Sequence, residues 1–561
     1  MRPGEDSALA DTPLRLTRRA VLRASALAGG AAVALGLAPW GRGAAAARPA
    51  PADDCAAAGS LPNAITAVMQ KPRYANATWN LLAVDLATGE TLYEVRPDEM
   101  AFTGSVRKLF SVGLALKQLG ADYRFTTPVY RRGTIDAQGV LQGDLILVAA
   151  GDLTLGGRLN ADSTIAFTDF DHNDANNLGT AILTPQDPLY GLDSLAQQVQ
   201  AAGIRNVAGE VIVDDRLFDS FRVPNQNLLV TPIMVNENMV DVTVAPTQPG
   251  QAASLVWRPH TEAFAVDGSV TTTAAGTPET VSLSDGGLIE CIGTAGCAGT
   301  VTGNIPLGYQ APLSGSPILV QTFRVEDPAA FARTAFVEAL QRAGVAVATP
   351  AVAQNPRALL PAPGAYAPDT RVAAFVSPPY SEYAKLILKV SLNLGANLSL
   401  MLFGLARGQR TIADALAVER QTLVDEMGIR PDQFDFPTNG SGSPDSQAAP
   451  RATVRMLTEM AGSAVAQAYQ AALPVLGVDG SLAESGTRLP ARGHVFAKTG
   501  TTIADGALKA QNLAGYIEAR SGRRLAFAVY VNDAGPIQRI DDVAEVFEDE
   551  ATITNAIYEA C

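Results

Sequence analysis

Strand-like segments stand at both ends of this chain, and that placement constrains the fold more than any other feature. Segments 80–86 and 91–95 read as strands joined by the turn Ala87-Thr88-Gly89-Glu90. Near the other end, 495–498 is strand-like, and 513–519 and 525–531 form a second hairpin around Ser521-Gly522-Arg523. Two strands from the start and three from the end make one antiparallel sheet only if the intervening chain leaves and returns. The middle is then an insertion. A short helical pattern at 63–71 and a long one at 540–560 would cover one face. Segment 105–119 is apolar nearly all round, so it reads as a buried helix for the other face.

The inserted region, 145–375, has its own texture. Short strand patterns are punctuated by Gly, Pro, Thr and Asn, as in a mostly β region of two subdomains. A helix closes it, with Asp327 as N-cap, Pro328 at the first position and Gly344 as the stop. The expected division is a leader at 1–47, a first domain part at 56–144, the insertion at 145–375 and a second domain part at 376–561. A chain of 561 residues is long enough for such a division.

The leader reads as a targeting segment. Thr17-Arg18-Arg19-Ala20-Val21-Leu22-Arg23 looks like a twin-arginine export signal, followed by an apolar stretch too short to span a membrane comfortably. Ala44-Ala45-Ala46-Ala47 offers cleavage sites, and an uncleaved anchor is the alternative. Export to an extracytoplasmic space permits disulfides. The four cysteines allow three pairings. Cys291–Cys297 and Cys55–Cys561 are the expected ones, with free terminal thiols at 55 and 561 as the alternative. A net charge of −14 argues against nucleic-acid binding. Three scattered histidines, His172, His260 and His494, argue against zinc and against a Ser-His-Asp triad. Asp169-Phe170-Asp171-His172-Asn173-Asp174 alternates oxygen ligands as a calcium loop does. It lacks the central Gly and the twelfth-position Glu, so a solvated turn is expected.

Three short strings carry the chemistry. Ser105-Val106-Arg107-Lys108 places Ser and Lys one helical turn apart on one face. A serine hydroxyl needs a nearby base, and lysine serves only when neutral. Burial and a second cation, expected to be Lys498, would depress its pKa. Ser391-Leu392-Asn393 lies between two helical runs. Ser391 would relay a proton to the leaving amine, and Asn393 would bond the lysine and a substrate amide. The alternative is an ordinary helix cap. Lys498-Thr499-Gly500-Thr501 ends a strand-like run at an expected open edge. Lys498 and Thr499 would hold a substrate carboxylate, and Gly500 would let a backbone approach closely. The N–H groups of Ser105 and Thr501 would form an oxyanion hole.

With S-x-x-K, S-x-N and K-T-G in this order, the chain resembles the D-alanyl-D-alanine carboxypeptidases and endopeptidases, the low-molecular-mass class C penicillin-binding proteins. Further likeness lies in 141–145, 150–152, 209–215, 439–442, 473–480 and 513–516. Leu392, Asn397 and Asn439 depart from residues common in that family, which bears on substrate preference. The resemblance implies an α+β fold: a β-lactamase/DD-peptidase-like domain, with a five-stranded antiparallel sheet flanked by helices and a large insertion. It implies a serine peptidase that cleaves the terminal D-Ala-D-Ala bond, and in some members cross-links, of peptidoglycan stem peptides through an acyl-enzyme on Ser105. It further implies inhibition by β-lactam antibiotics and no metal or organic cofactor. A β-lactamase or esterase of the same fold and a non-catalytic peptidoglycan-binding protein are the other readings.

Overall fold

The computed structural model describes residues 60–223, 228–439 and 445–561. The expected leader at 1–47 and Cys55 lie outside the described residues. Five strands from the two ends of the chain form one antiparallel sheet. They are β1 (Thr78–Asp85), β2 (Thr91–Val95), β3 (Val495–Ala504), β4 (Ala507–Glu518) and β5 (Arg524–Asn532), in the order β2-β1-β5-β4-β3.

Strand alternation divides the core into two layers. Along β5, Leu525, Phe527, Val529 and Val531 face a cluster shared with α1 (Asn63–Met69) and the terminal helix. Ala526, Ala528 and Tyr530 face the opposite cluster, shared with α2 (Lys108–Leu119). The terminal helices and α2 thus sandwich the sheet, as the patterning of the two chain ends required. Helices α3 (Tyr380–Lys389) and α4 (Asn393–Ala406) pack beside α2, and α5 (Ile540–Ala560) closes the chain.

Strand β3 differs from the expectation at 495–498. It runs through Lys498-Thr499-Gly500 to Ala504 and pairs with β4 along its length. The polar residues after Gly500 continue the strand into a hairpin with β4. Polar side chains suit a strand at a sheet edge, where one side remains wet.

The inserted chain builds its own sheets. Arg124–Ile135, Val140–Val148 and Arg371–Pro379 belong to a six-stranded sheet with three short strands. The expected opening at 145 falls inside Val140–Val148, and Arg124–Ile135 already pairs within the inserted sheet. The chain thus leaves the core soon after α2. A strand's own pattern does not say which sheet its partners belong to, so this boundary was not readable from residues alone. A four-stranded and a three-stranded sheet follow, and one buried apolar cluster joins all three. Helix Pro328–Arg342 starts as expected, with the Ala330 N–H donating to the Asp327 side chain at 3.0 Å.

Cys291 and Cys297 are joined by a disulfide. Cys561 is also disulfide-bonded; its expected partner, Cys55, lies outside the described residues. No helix among the described residues is long and apolar enough to cross a membrane.

Candidate active site

Gly104–Arg107 forms a single 3-10 turn that leads directly into α2. Ser105 therefore stands half-buried ahead of the α-helix, and Lys108 is its first residue, only 1% exposed. Lys108 Nζ lies 2.6 Å from Ser105 Oγ and 3.0 Å from Ser391 Oγ. Ser391 occupies the short joint between α3 and α4, with φ of +60°. That region is uncommon for a residue with a β-carbon, and such strain collects where a side chain must be held in place. It makes no capping bond to α4, whose N-cap residue is Leu392, so the cap reading of this string fails.

Two glycines let β3 pass against the Gly104–Arg107 turn. A β-carbon at Gly500 would lie 2.2 Å from the Thr103 carbonyl oxygen and 3.1 Å from the Ser105 nitrogen. One at Gly104, whose φ is +49°, would lie 2.8 Å from the Thr501 nitrogen. The backbones bearing the Ser105 and Thr501 N–H groups are therefore side by side. Asn393 is buried at the start of α4, and its Oδ1 has no hydrogen-bond partner among the described residues. Lys108 turns to the two serines, so the expected bond between Asn393 and the lysine is not formed. Thr499 Oγ1 lies 2.8 Å from Ser481 Oγ.

Lys498 stands on the sheet's edge strand, as expected, but its ammonium is not open to solvent. It is fully buried, and its Nζ donates to the Thr499 carbonyl oxygen at 2.9 Å. Residues 497–500 are all buried, where the Gly104–Arg107 turn packs against the strand, and a reading from strand ends overlooks that.

Burial pushes the Lys108 ammonium down to about 7, against the opposing pull of Asp174. Lys498 is held well below the ordinary lysine range by burial first and by Lys108 second. Of the two expected causes, burial leads in lowering Lys108, and the charge of Lys498 is not among the causes that act on it.

Asp174 is the site residue that the sequence did not single out. It ends the turn His172–Asp174 of the inserted region and is half-buried within electrostatic reach of both lysines. The turn is pinned from several sides. Asp169 Oδ1 accepts from the Gly480 N–H at 2.7 Å, next to Ser481. Asp171 accepts two bonds from Arg158 at 2.7 and 2.8 Å. His172 lies 2.7 Å from Asp241 and 3.1 Å from Glu237. Burial alone would lower the His172 pKa, but these two carboxylates outweigh it and push it up to about 10. Asp171, His172 and Glu237 have ligand atoms close enough to hold an ion. The Arg158 guanidinium, bonded to both Asp171 and Glu237, already supplies the positive charge there. Asp169, Asp171 and Asp174 face three different partners, so the run is a docking turn and not a calcium loop. The only trace in the sequence was its density of acidic residues.

Arg107, inside the same turn as Ser105, is fully buried. It forms a two-pronged pair with Glu419 and lies over the Phe436 ring. His494 stacks on Tyr558, and His260 packs on Trp257.

A serine beside a buried lysine of depressed basicity and a second serine, set against an edge strand, is the arrangement of a serine acyl-transfer enzyme. The D-Ala-D-Ala carboxypeptidase 3 (S13) family profile matches residues 61–550. The chain belongs to that family of serine-type peptidases. The D-alanyl-D-alanine carboxypeptidase of Actinomadura sp. (strain R39) is 29% identical over 496 residues, covering 84% of this chain and 81% of that protein. Penicillin-binding protein 4 of Haemophilus influenzae matches in structure with a TM-score of 0.64 at 19% identity, over 89% of this chain and all of that one. The same protein complexed with a β-lactam matches at 0.61 and 18% identity, with the same coverage. At that identity the likeness establishes the shared fold.

Proposed function

We propose that this protein is an exported DD-peptidase that removes the terminal D-alanine of peptidoglycan stem peptides through an acyl-enzyme on Ser105. The contact of Lys108 Nζ with both Ser105 Oγ and Ser391 Oγ carries this reading. Neutral Lys108 takes the Ser105 proton as Oγ attacks the carbonyl of the penultimate D-alanine. The resulting oxyanion meets the N–H groups of Ser105 and Thr501. Ser391 passes the proton to the leaving amine, the peptide bond breaks, and D-alanine departs. Water then resolves the ester by the reverse proton path. Asn393 accepts from a substrate amide N–H, and Lys498, Thr499 and Thr501 receive the terminal carboxylate. A β-lactam presents the same carbonyl and carboxylate and traps Ser105 as a stable ester. The same chemistry on a cross-link gives endopeptidase activity.

The inserted region, which the chain enters soon after α2, brings Asp174 within electrostatic reach of both lysines. The family membership and the twin-arginine pattern support export, and Cys55–Cys561 would tie the mature termini together. Purified muropeptides incubated with the protein test it: release of D-alanine from pentapeptides supports the proposal. Intact pentapeptides beside rapid turnover of a chromogenic cephalosporin would instead identify a β-lactamase.

A further inference from the structure

Three successive residues of one turn reach three different parts of the site. Asp479 Oδ1 and Oδ2 each accept a hydrogen bond from Lys389 Nζ at 2.7 Å. The Gly480 N–H donates to Asp169 Oδ1, and Ser481 Oγ meets Thr499 Oγ1 on β3. The chain leading into the turn is tied to the start of β3. There the Leu476 N–H donates to the Val495 carbonyl oxygen at 3.0 Å, and the Ala497 N–H donates to that of Pro474 at 2.9 Å. Asp479 has no part in the chemistry above.

Lys389 is the last residue of α3 and lies two positions before Ser391. It is buried, and Asp479 takes two of the three N–H bonds its side chain can give. A β-carbon at Gly480, whose φ is +62°, would lie 2.6 Å from the Lys389 carbonyl oxygen. The turn therefore holds Lys389 by side chain and by backbone. Asp479 is itself anchored, because its Oδ1 also accepts from the Val475 N–H at 2.9 Å. Two residues further on, Ser391 keeps a φ of +60°. Such a backbone persists only where its surroundings restrain it.

We propose that Asp479 is a positioning residue for Ser391: by gripping Lys389 it holds the end of α3 where Ser391 Oγ can pass a proton from Lys108 to the leaving amine. The proposal rests on the reading of Ser391 as the proton relay.

Ser391 Oγ makes the longer of the two serine contacts of Lys108, 3.0 Å against 2.6 Å. A small shift of the joint therefore breaks that contact first. Ser105 is held separately, by the turn that leads into α2 and by the close passage of β3. Loss of the grip on Lys389 should cost proton delivery to the leaving group more than attack by Ser105.

The test uses two substrates with the same acyl half: a peptide ending in D-Ala-D-Ala, and its thiol ester analogue with sulfur in place of the scissile N–H. In the peptide, the amine must gain a proton as the C–N bond breaks; the thiolate departs with the C–S electron pair and needs none. The ratio of the two kcat/KM values, peptide over thiol ester, therefore reads the relay. Ser391→Ala should lower that ratio. Asp479→Ala and Lys389→Met should each lower it about tenfold, and the double variant should lose little more than either. Asp479→Asn keeps an acceptor for the Val475 N–H but turns an NH2 group towards Lys389, so its ratio should fall as well. Ser481→Ala, in the same turn but reaching β3 rather than α3, should keep the wild-type ratio. Equal losses on both substrates in Asp479→Ala and Lys389→Met, an unchanged ratio in them, or the same fall in Ser481→Ala overturn the role of Asp479 alone. An unchanged ratio in Ser391→Ala overturns the reading of Ser391 as the relay and the proposal with it.

Discussion

Gly500→Ala tests how closely the nucleophile turn and the K-T-G strand must approach. The new β-carbon would lie 2.2 Å from the Thr103 carbonyl oxygen and 2.9 Å from the Val106 nitrogen. Ordinary contact begins near 3.4 Å, and both neighbours are backbone atoms that cannot rotate away. The strand or the turn must therefore shift by ~1 Å. A displacement of that size at reacting groups costs about a hundredfold in rate. Overpacking a tight contact costs about 1–3 kcal/mol of stability. The rate loss should exceed what the stability loss explains, because folded variant molecules would still carry a displaced oxyanion site. Stopped-flow acylation with a fluorescent penicillin, alongside thermal unfolding, separates the two. Acylation within about twofold of wild type would refute the reasoning, since the two backbones would then not need their present spacing.

The acylation rate should rise with pH through about 7, where Lys108 becomes neutral. Asp174→Asn removes a negative charge that favours the ammonium form, so the rise should move to lower pH. A midpoint that stays in place or moves upward contradicts the role given to Asp174. Glu419→Ala strands the buried Arg107 guanidinium and should cost about 3–5 kcal/mol, read as a large fall in Tm. An unchanged Tm would show that the pair does not hold the nucleophile turn.

The core sheet and its helices were legible because both ends of the chain carry strands of regular alternation and helices of clear patterning. The S-x-x-K string foretold the Ser105–Lys108 contact because helical spacing alone brings those residues together. What depended on distant packing was not legible. The depth of Lys498 and the left-handed backbone of Ser391 both follow from segments that meet only after folding. Asp174 reaches the lysines because Arg158, Asp241, Glu237 and Gly480 pin its turn, and no local pattern joins those residues.

The central claim is that Ser105 is the residue acylated. Peptide mass spectrometry after reaction with benzylpenicillin tests it most directly. The account predicts an adduct on the peptide containing Ser105 and none in Ser105→Ala. An adduct on Ser391, with Ser105→Ala still reactive, would contradict it.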